Sequence, residues 1–199
     1  MKIERLNKEN IKDFLGDLNI EDSYLESNFN KIEIFGVKKD NTFYMAFEML
    51  PDEDRIAIKY INNKISSDKY LESIIYLKNS VVVNNHLIIN VFDDKYISVM
   101  DDNYRVKDVY VSSDGKCVTA DMEEYAEIDM MNIRYFTSKD GILCNLYRQY
   151  IQDEDVIKKL DNYFRSRNFD NISYIVYDNS VELIKKLGYK IVYKSYVIE

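Results

Sequence analysis

Apolar residues in the C-terminal third of the chain switch repeatedly between the spacing of a strand and the spacing of a helix. The pattern predicts, in chain order, a strand at 142–150, a helix at 153–167, a strand at 172–177, a helix at 179–187 and a strand at 190–198. Asn179 suits the start of the second helix, and Gly188 suits its end. A strand, a helix and a second strand in this order predict a parallel pair joined by a right-handed crossover, which places the chain in the α/β class.

The first 140 residues mix strand and helix patterns in the same way. The predicted strands are 2–6, 31–37, 42–50, 56–61, 86–92, 105–111, 116–120 and 126–136, and the predicted helices are 10–18, 22–29, 68–78 and 93–100. Asp114-Gly115 predicts a tight hairpin turn before the strand at 116–120. Pro51 opens an acidic break between two strands.

A weak internal repeat connects the two halves of the chain. Residues 91–94 (Val-Phe-Asp-Asp) precede residues 176–179 (Val-Tyr-Asp-Asn) by 85 positions, and the predicted elements around them share this offset without a gap. If the repeat is real, two related α/β units are fused, one at 1–111 and one at 112–199. The alternative is one domain, 1–199, with a long insertion at 51–131.

Composition excludes several classes of function. The chain has 35 acidic and 27 basic residues, for a net charge of −8, and such a surface repels nucleic-acid phosphates. A single histidine, His86, cannot form a histidine-based metal site, and Cys117 and Cys144 are too far apart in sequence for a CxxC motif. No apolar run is long enough to cross a membrane, and the charged N-terminus is not a leader. We therefore expect a cytoplasmic protein with no metal, no nucleic-acid partner and no membrane association.

The most specific pattern lies in residues 156–190. Residues 180–183 (Ser-Val-Glu-Leu) and 185–190 (Lys-Lys-Leu-Gly-Tyr-Lys) describe a helix that ends in a leucine-glycine-aromatic corner. This segment resembles the C-terminal half of the GNAT N-acetyltransferase superfamily. Residues 1–50 resemble the opening of that family more weakly.

The resemblance implies a fold, a cofactor and an activity. The fold is a mixed sheet with flanking helices, splayed between its fourth and fifth strands, in one unit or in two fused GNAT-like units. The family holds acetyl-CoA or CoA in that opening. The implied activity is an acyl-CoA-dependent N-acyltransferase acting on a small or peptidyl amine, and the implied assembly is a homodimer.

The cofactor-binding residues implied by the resemblance are Arg148, Gln149, Tyr150, Ile151, Gln152 and Asp153. Arg148 fits the first position of the family's signature, and the N–H groups after it would hold a pyrophosphate at a helix N-terminus. Ile151 and Asp153 stand where the signature has two small residues, and Glu154 and Asp155 add negative charge. The alternative interpretation is a helix cap without a ligand. The counterpart loop at 62–68 also lacks glycine but is less acidic.

No residue is singled out as catalytic. Ile184 stands where many family members carry a tyrosine that acts as the general acid. Glu48, Glu127 and Asp129 are candidate bases without a feature that favours one of them. The missing glycines and Ile184 favour a second interpretation, in which the chain is a catalytically inactive GNAT-like binding or protein-interaction module.

Overall fold

A computed structural model describes residues 1–18, 34–49, 55–81, 87–118, 122–128, 130–149 and 153–199. The chain divides into two compact units, the first made of Met1–Arg105 and Tyr196–Glu199 and the second of Val106–Ser195. The helix predicted at 22–29, the start of the strand predicted at 31–37 and the break at Pro51 lie outside the described residues. The division into domains 1–111 and 112–199 stays a prediction.

The first unit is built on a five-stranded sheet in the order β1-β2-β3-β4-β5. Its elements are β1 (Lys2–Arg5), α1 (Ile11–Leu18), β2 (Ile34–Lys39), β3 (Thr42–Met49), β4 (Arg55–Ile61), α2 (Ser67–Val81), β5 (Leu87–Val91) and α3 (Asp94–Asp101). Strands β1 to β4 pair antiparallel. Strands β4 and β5 pair parallel, because α2 crosses over between them.

Helix α1 packs on the antiparallel part of this sheet through a close aromatic contact. The rings of Phe14 and Phe43 meet edge to face with centroids 5.1 Å apart. Gly36 makes the contact possible, since a Cβ there would lie 2.5 Å from the Phe43 ring. A carboxylate oxygen of Asp17 accepts from the Phe43 backbone N–H at 2.7 Å, which anchors α1 to the start of β3.

The second unit has the strand order β11-β6-β10-β9-β8-β7. Its elements are β6 (Arg105–Ser112), β7 (Met122–Ile128), β8 (Met131–Ser138), β9 (Gly141–Asn145), α4 (Leu146–Gln149), α5 (Glu154–Ser166), β10 (Ile172–Val176), a 3₁₀ turn (Asp178–Ser180), α6 (Val181–Lys186) and β11 (Lys190–Ile198). Strand β10 lies parallel to β9 and antiparallel to β6. The mixed α/β sheet with flanking helices is confirmed, as is the parallel neighbouring pair predicted around the helix that begins near Asp153.

Three predicted elements are wrong in detail. The strand predicted at 142–150 ends at Asn145, and residues 146–149 form helix α4 instead. The strand predicted at 126–136 is a hairpin, β7 and β8, whose turn has Met130 at a φ of 66°. Residues 116–118 form no strand, although Gly115 does adopt the positive φ of a turn. In the first two cases side-chain periodicity missed a change of chain direction, because turns depend on backbone conformation. In the third the turn was predicted, but residues 116–118 add no strand after it.

The elements of the two halves recur in the same order at the predicted offset. Helix α2 and helix α5 each join a parallel strand pair, β4 to β5 and β9 to β10. The bounds of β10 lie 85 positions after those of β5, since Leu87–Val91 corresponds to Ile172–Val176. Superposition of the two segments as true duplicates stays a prediction.

One carboxylate connects the elements of the second unit. Asp161 on α5 accepts hydrogen bonds from the hydroxyls of Tyr174 and Tyr189, each at 2.6 Å. Tyr174 lies on β10, and Tyr189 follows the corner glycine, Gly188, whose φ is 93°. Both rings are buried, and burial raises the pKa of both tyrosines well above its usual range, so both hydroxyls stay protonated as donors.

Replacing Asp161 with alanine should destabilise the second unit by about 2–4 kcal/mol, because two buried hydroxyls then lose their acceptor. Urea denaturation measures the loss in the free energy of unfolding, and native-state hydrogen exchange at the β10 amides assigns that loss to the second unit. Asn162→Ala, at the exposed neighbouring position on α5, is the control and should cost less than about 1 kcal/mol. Equal losses in the two variants would contradict a structural role for the shared carboxylate.

Candidate functional site

A pocket opens in the first unit where its two parallel strands part. Strands β4 and β5 pair from Arg55–Ile88 to Ile58–Val91, and β4 then continues to Ile61 beside β3 but without β5. The pocket beyond the last pair has a volume of about 330 Å³. Its lining residues are Leu18, Ile58, Tyr60, Ile61, Phe92 and Asp93. Small-molecule sites in α/β proteins occur at this end of parallel strands, with volumes of about 300–1,000 Å³.

The loop from β4 to α2 follows directly on Ile61, a lining residue of the pocket, and is held in shape by Asn62. This side chain is 3% exposed, and its amide donates to the Phe43 carbonyl oxygen at 3.1 Å. Its Oδ1 accepts from the Lys64 backbone N–H at 3.0 Å, and its carbonyl oxygen accepts from the Tyr96 hydroxyl at 3.3 Å. Asn62 therefore fixes the conformation of this loop through three hydrogen bonds, in a loop that has no glycine.

The start of helix α2 combines a helix N-terminus with two lysines. The Ser66 hydroxyl caps the helix by accepting from the Lys69 backbone N–H at 3.4 Å. Residues 66–69 are exposed. Residues 64–69 contain two lysines, Lys64 and Lys69, and one carboxylate, Asp68. Since the N-terminus of a helix carries partial positive charge, the start of α2 favours an anion.

Two polar side chains lie within the lining of the pocket, Tyr60 and Asp93. Asp93 caps α3 through Oδ1, which accepts from the Lys95 backbone N–H at 2.9 Å. It is exposed and follows directly on the buried strand β5. Asp93 is thus a carboxylate at the carboxyl end of a parallel strand, where it can accept a proton from a bound amine. The sequence analysis missed it because the pattern indicated only a helix start.

The loop predicted to bind the cofactor, residues 148–153, lies in the second unit, and the structure describes only its two ends. Tyr150, Ile151 and Gln152 lie outside the described residues. Arg148 is exposed on α4, whereas the Gln149 amide is engaged, since Nε2 donates to the Arg134 carbonyl at 2.9 Å and Oε1 accepts from the Arg134 N–H at 2.9 Å. Asp153 caps α5 by accepting from the backbone of Asp155 at 2.8 Å. The role of these residues in cofactor binding stays a prediction.

Two aromatic rings meet just beyond the last paired residues of β9 and β10, the parallel strands of the second unit. Pairing of β9 and β10 continues to Asn145, the last residue of β9. The ring of Tyr147, just after β9, then meets the ring of Tyr177, just after β10, with centroids 4.4 Å apart. A cavity of about 40 Å³ near Arg148 lies against β8, where Arg134 and Phe136 contribute to its lining. The two strand pairs therefore end differently.

The start of helix α5 also differs from that of α2 in charge. Asp153, Glu154 and Asp155 crowd its first turn, and Lys158 is already paired with Glu154 at 2.6 Å. Two like charges about 4 Å apart repel by about 4 kcal/mol at an effective dielectric constant of 20. An anion is therefore disfavoured at α5 relative to α2.

None of the other candidate residues from the sequence lines the first unit's pocket among the described residues. Ile184 is fully buried in the core of the second unit. Glu48 lies on β3, and Glu127 is exposed on β7. Asp129 and His86 lie outside the described residues.

Two searches of the described residues found nothing. No group of three His, Cys, Asp or Glu side chains comes together there as a metal site requires. Across the same ranges, none of the helices has the length and apolar character needed to cross a membrane.

Comparison with known proteins gives similarities of fold at low sequence identity. No family model matches the chain, and no curated protein does. A candidate acetyltransferase from Thermoplasma acidophilum is 12% identical, with a TM-score of 0.48 over 99% of this chain and 98% of that one. A GNAT-family acetyltransferase from Colwellia psychrerythraea is 10% identical, with a TM-score of 0.39 over the whole of both chains.

A third solved structure is a conserved protein of unknown function from Enterococcus faecalis V583, a candidate N-acyltransferase. It is 9% identical, with a TM-score of 0.35 over 98% of this chain and 71% of that one.

The two cysteines should differ sharply in reactivity. Cys144 is fully buried on β9, and burial raises the pKa of its thiol to about 12, whereas Cys117 is exposed. Because the thiolate is the reactive form, we expect one thiol per native chain to react with a disulfide reagent at pH 8 and two after unfolding. Cys117→Ser should abolish the native reaction, and a persistent fast reaction in that variant would contradict the buried placement of Cys144.

Proposed function

We propose that the chain is a GNAT-like acyl-CoA-dependent N-acyltransferase that binds its acyl donor in the pocket of the first unit. The observation that supports this most is the 330 Å³ pocket at the carboxyl ends of β4 and β5, the end of the strands from which the chain leads into α2. The acceptor is a small or peptidyl amine.

The residues around the pocket fit such a donor. The N–H groups at the start of α2, with Lys64 and Lys69, would hold the phosphates. The apolar side chains of Leu18, Ile58 and Ile61 would contact the pantetheine arm and exclude water. When bound, acetyl-CoA or another acyl-CoA supplies an activated thioester.

The chain's own groups would handle the proton of the amine. Asp93 is the carboxyl group in the pocket lining, and in our proposal it accepts a proton from the attacking nitrogen. The Tyr60 hydroxyl is the other polar group there and would orient the substrate. Neither role needs a tyrosine at Ile184.

The predicted loop at 148–153 is the alternative site for the donor. In that case Arg148 would pair with the pyrophosphate, and Asp153 would oppose it. The two placements of the donor predict different changes in CoA affinity for the same variants, so one titration series distinguishes between them.

Ser67→Glu should weaken binding of CoA about tenfold or more, because it places a carboxylate at the start of α2, where the phosphates would lie. The substitution suits a helix N-terminus and should leave folding intact. Ser98→Glu, at an exposed position on α3, is the matched control and should bind normally. Calorimetric titration of CoA measures all of these affinities.

Other results of the same titration overturn the placement. If Ser67→Glu binds like the wild type while Arg148→Ala weakens binding and Asp153→Gly tightens it, the donor lies in the second unit. If neither the wild type nor any variant binds CoA at millimolar concentration, the second interpretation, a catalytically inactive binding module, replaces the proposal.

Asp93→Asn should leave CoA binding unchanged but lower the rate of thiol release from acetyl-CoA in the presence of an amine acceptor by about 10²-fold or more. Asparagine keeps the helix cap, so a stability change is not expected. The rate is measured over a panel of polyamines and lysine peptides. Binding of CoA without thiol release for any amine would favour the inactive module, which the missing glycines in loop 62–68 also support.

A further inference from the structure

Strand β7 is an open sheet edge whose only charged side chains are carboxylates. It stands at the end of the second unit's strand order, so one side of its backbone has no partner strand among the described residues. Its seven residues pair with β8 in one register from Met122–Thr137 to Ile128–Met131, without a bulge. It contains no proline and no lysine, the residues that commonly blunt such edges.

The other terminal strand, β1, is built differently. It has four residues, and Lys2 and Arg5 lie at its ends. Short length and cations discourage pairing with another chain. The contrast indicates that the open edge of β7 is a property of that strand and not of every edge in the protein.

Exposed apolar side chains concentrate on the same hairpin. Met122 is 60% exposed and Tyr125 67% exposed on β7, and Met130 in the adjoining turn is 93% exposed. Among the described residues, the only other large hydrophobic side chain with comparable exposure is Ile75 on α2. An edge that carries such side chains can bind a partner strand through both its backbone and its side chains.

The charge of β7 selects the kind of partner. Glu123, Glu124 and Glu127 give the strand three carboxylates and no cation of its own. Arg134 on β8 binds both oxygens of Glu123, and Glu124 accepts from Tyr135 and Thr137. Glu127 is exposed. Negative charge thus remains along the open edge.

A second copy of this chain is a poor match for that edge. A two-fold antiparallel pairing centred on Tyr125 sets Glu123 opposite Glu127 twice, and one centred on any of the three glutamates sets it opposite itself. Like charges directly opposite destabilise a strand pair. Within residues 122–128, the registers centred on Met122, Ala126 and Ile128 avoid this, and the first and last of these pair only one residue of each strand.

We propose that β7 binds an extended segment of another protein that carries lysine or arginine at alternate positions. The segment adds a strand beside β7, its backbone hydrogen-bonds to the open edge, and its cations lie on the face of Glu127 and Tyr125. Its apolar side chains lie on the opposite face, beside Met122. This inference does not depend on the proposed acyltransferase function.

Fluorescence polarisation with a labelled peptide of about seven residues, the length of β7, tests the proposal. A peptide of alternating lysine and valine should bind the full-length chain and should bind less tightly as salt rises. The same composition with the lysines in one block, and an alternating glutamate–valine peptide, should bind at least about fivefold more weakly.

Glu127→Lys should weaken the alternating lysine peptide about fivefold or more and improve binding of the glutamate peptide. Glu9→Lys, at an exposed position of the first unit, makes the same change in net charge and should alter the affinity less than about twofold. On peptide addition, hydrogen exchange should slow at the amides of β7.

Four outcomes would overturn the inference. The lysine peptide does not bind, or it binds the blocked and alternating orders equally, or both charge variants weaken it equally. The fourth is a dimer of the free chain in light scattering whose β7 amides are protected from hydrogen exchange, which would make a second copy the occupant.

Discussion

Each unit depends on a parallel strand pair, and a parallel pair cannot be closed by a tight turn. A helix has to cross over between the strands, which sets α2 between β4 and β5 and α5 between β9 and β10. The crossover also brings the helix N-terminus to the carboxyl ends of the strands. Whether those ends part or stay covered then decides whether a ligand can enter.

The two units differ at this point. In the first, β4 runs past its last pair with β5, and a pocket opens at the carboxyl ends of these strands. In the second, β9 stops with its last pair with β10, Tyr147 meets Tyr177, and three carboxylates occupy the start of α5. The same arrangement of strands and helices thus leaves a pocket in one unit and a packed, self-capped helix in the other. The shared carboxylate of Asp161 strengthens the second by holding α5 to β10 and to the corner at Tyr189.

Sequence patterns identified most elements because apolar spacing reports which face of a segment is buried. The helices at 67–81 and 154–166 and the strands at 87–91 and 172–176 follow this rule closely. The rule failed where the chain reverses, at Met130 and at Leu146, because a turn leaves little trace in apolar spacing. For the candidate site, the sequence indicated the kind of location, a helix start after a parallel strand, but favoured the loop with Arg148. The sequence identified Asp93 only as the start of a helix and did not indicate that it lines a pocket.

By itself the sequence determined the class of fold, the order of strands and helices, the parallel pair around α5 and the lack of a glycine-rich loop in either half. These follow from local periodicity and from residue types, which tertiary contacts do not alter. Only the tertiary structure decided which strand pair parts to leave a pocket, that Asn62 orders the loop beside it, and that β7 remains an open edge. Those features arise from contacts between residues distant in sequence, such as Asn62 with Phe43 and Gln149 with Arg134, and no local pattern encodes such contacts.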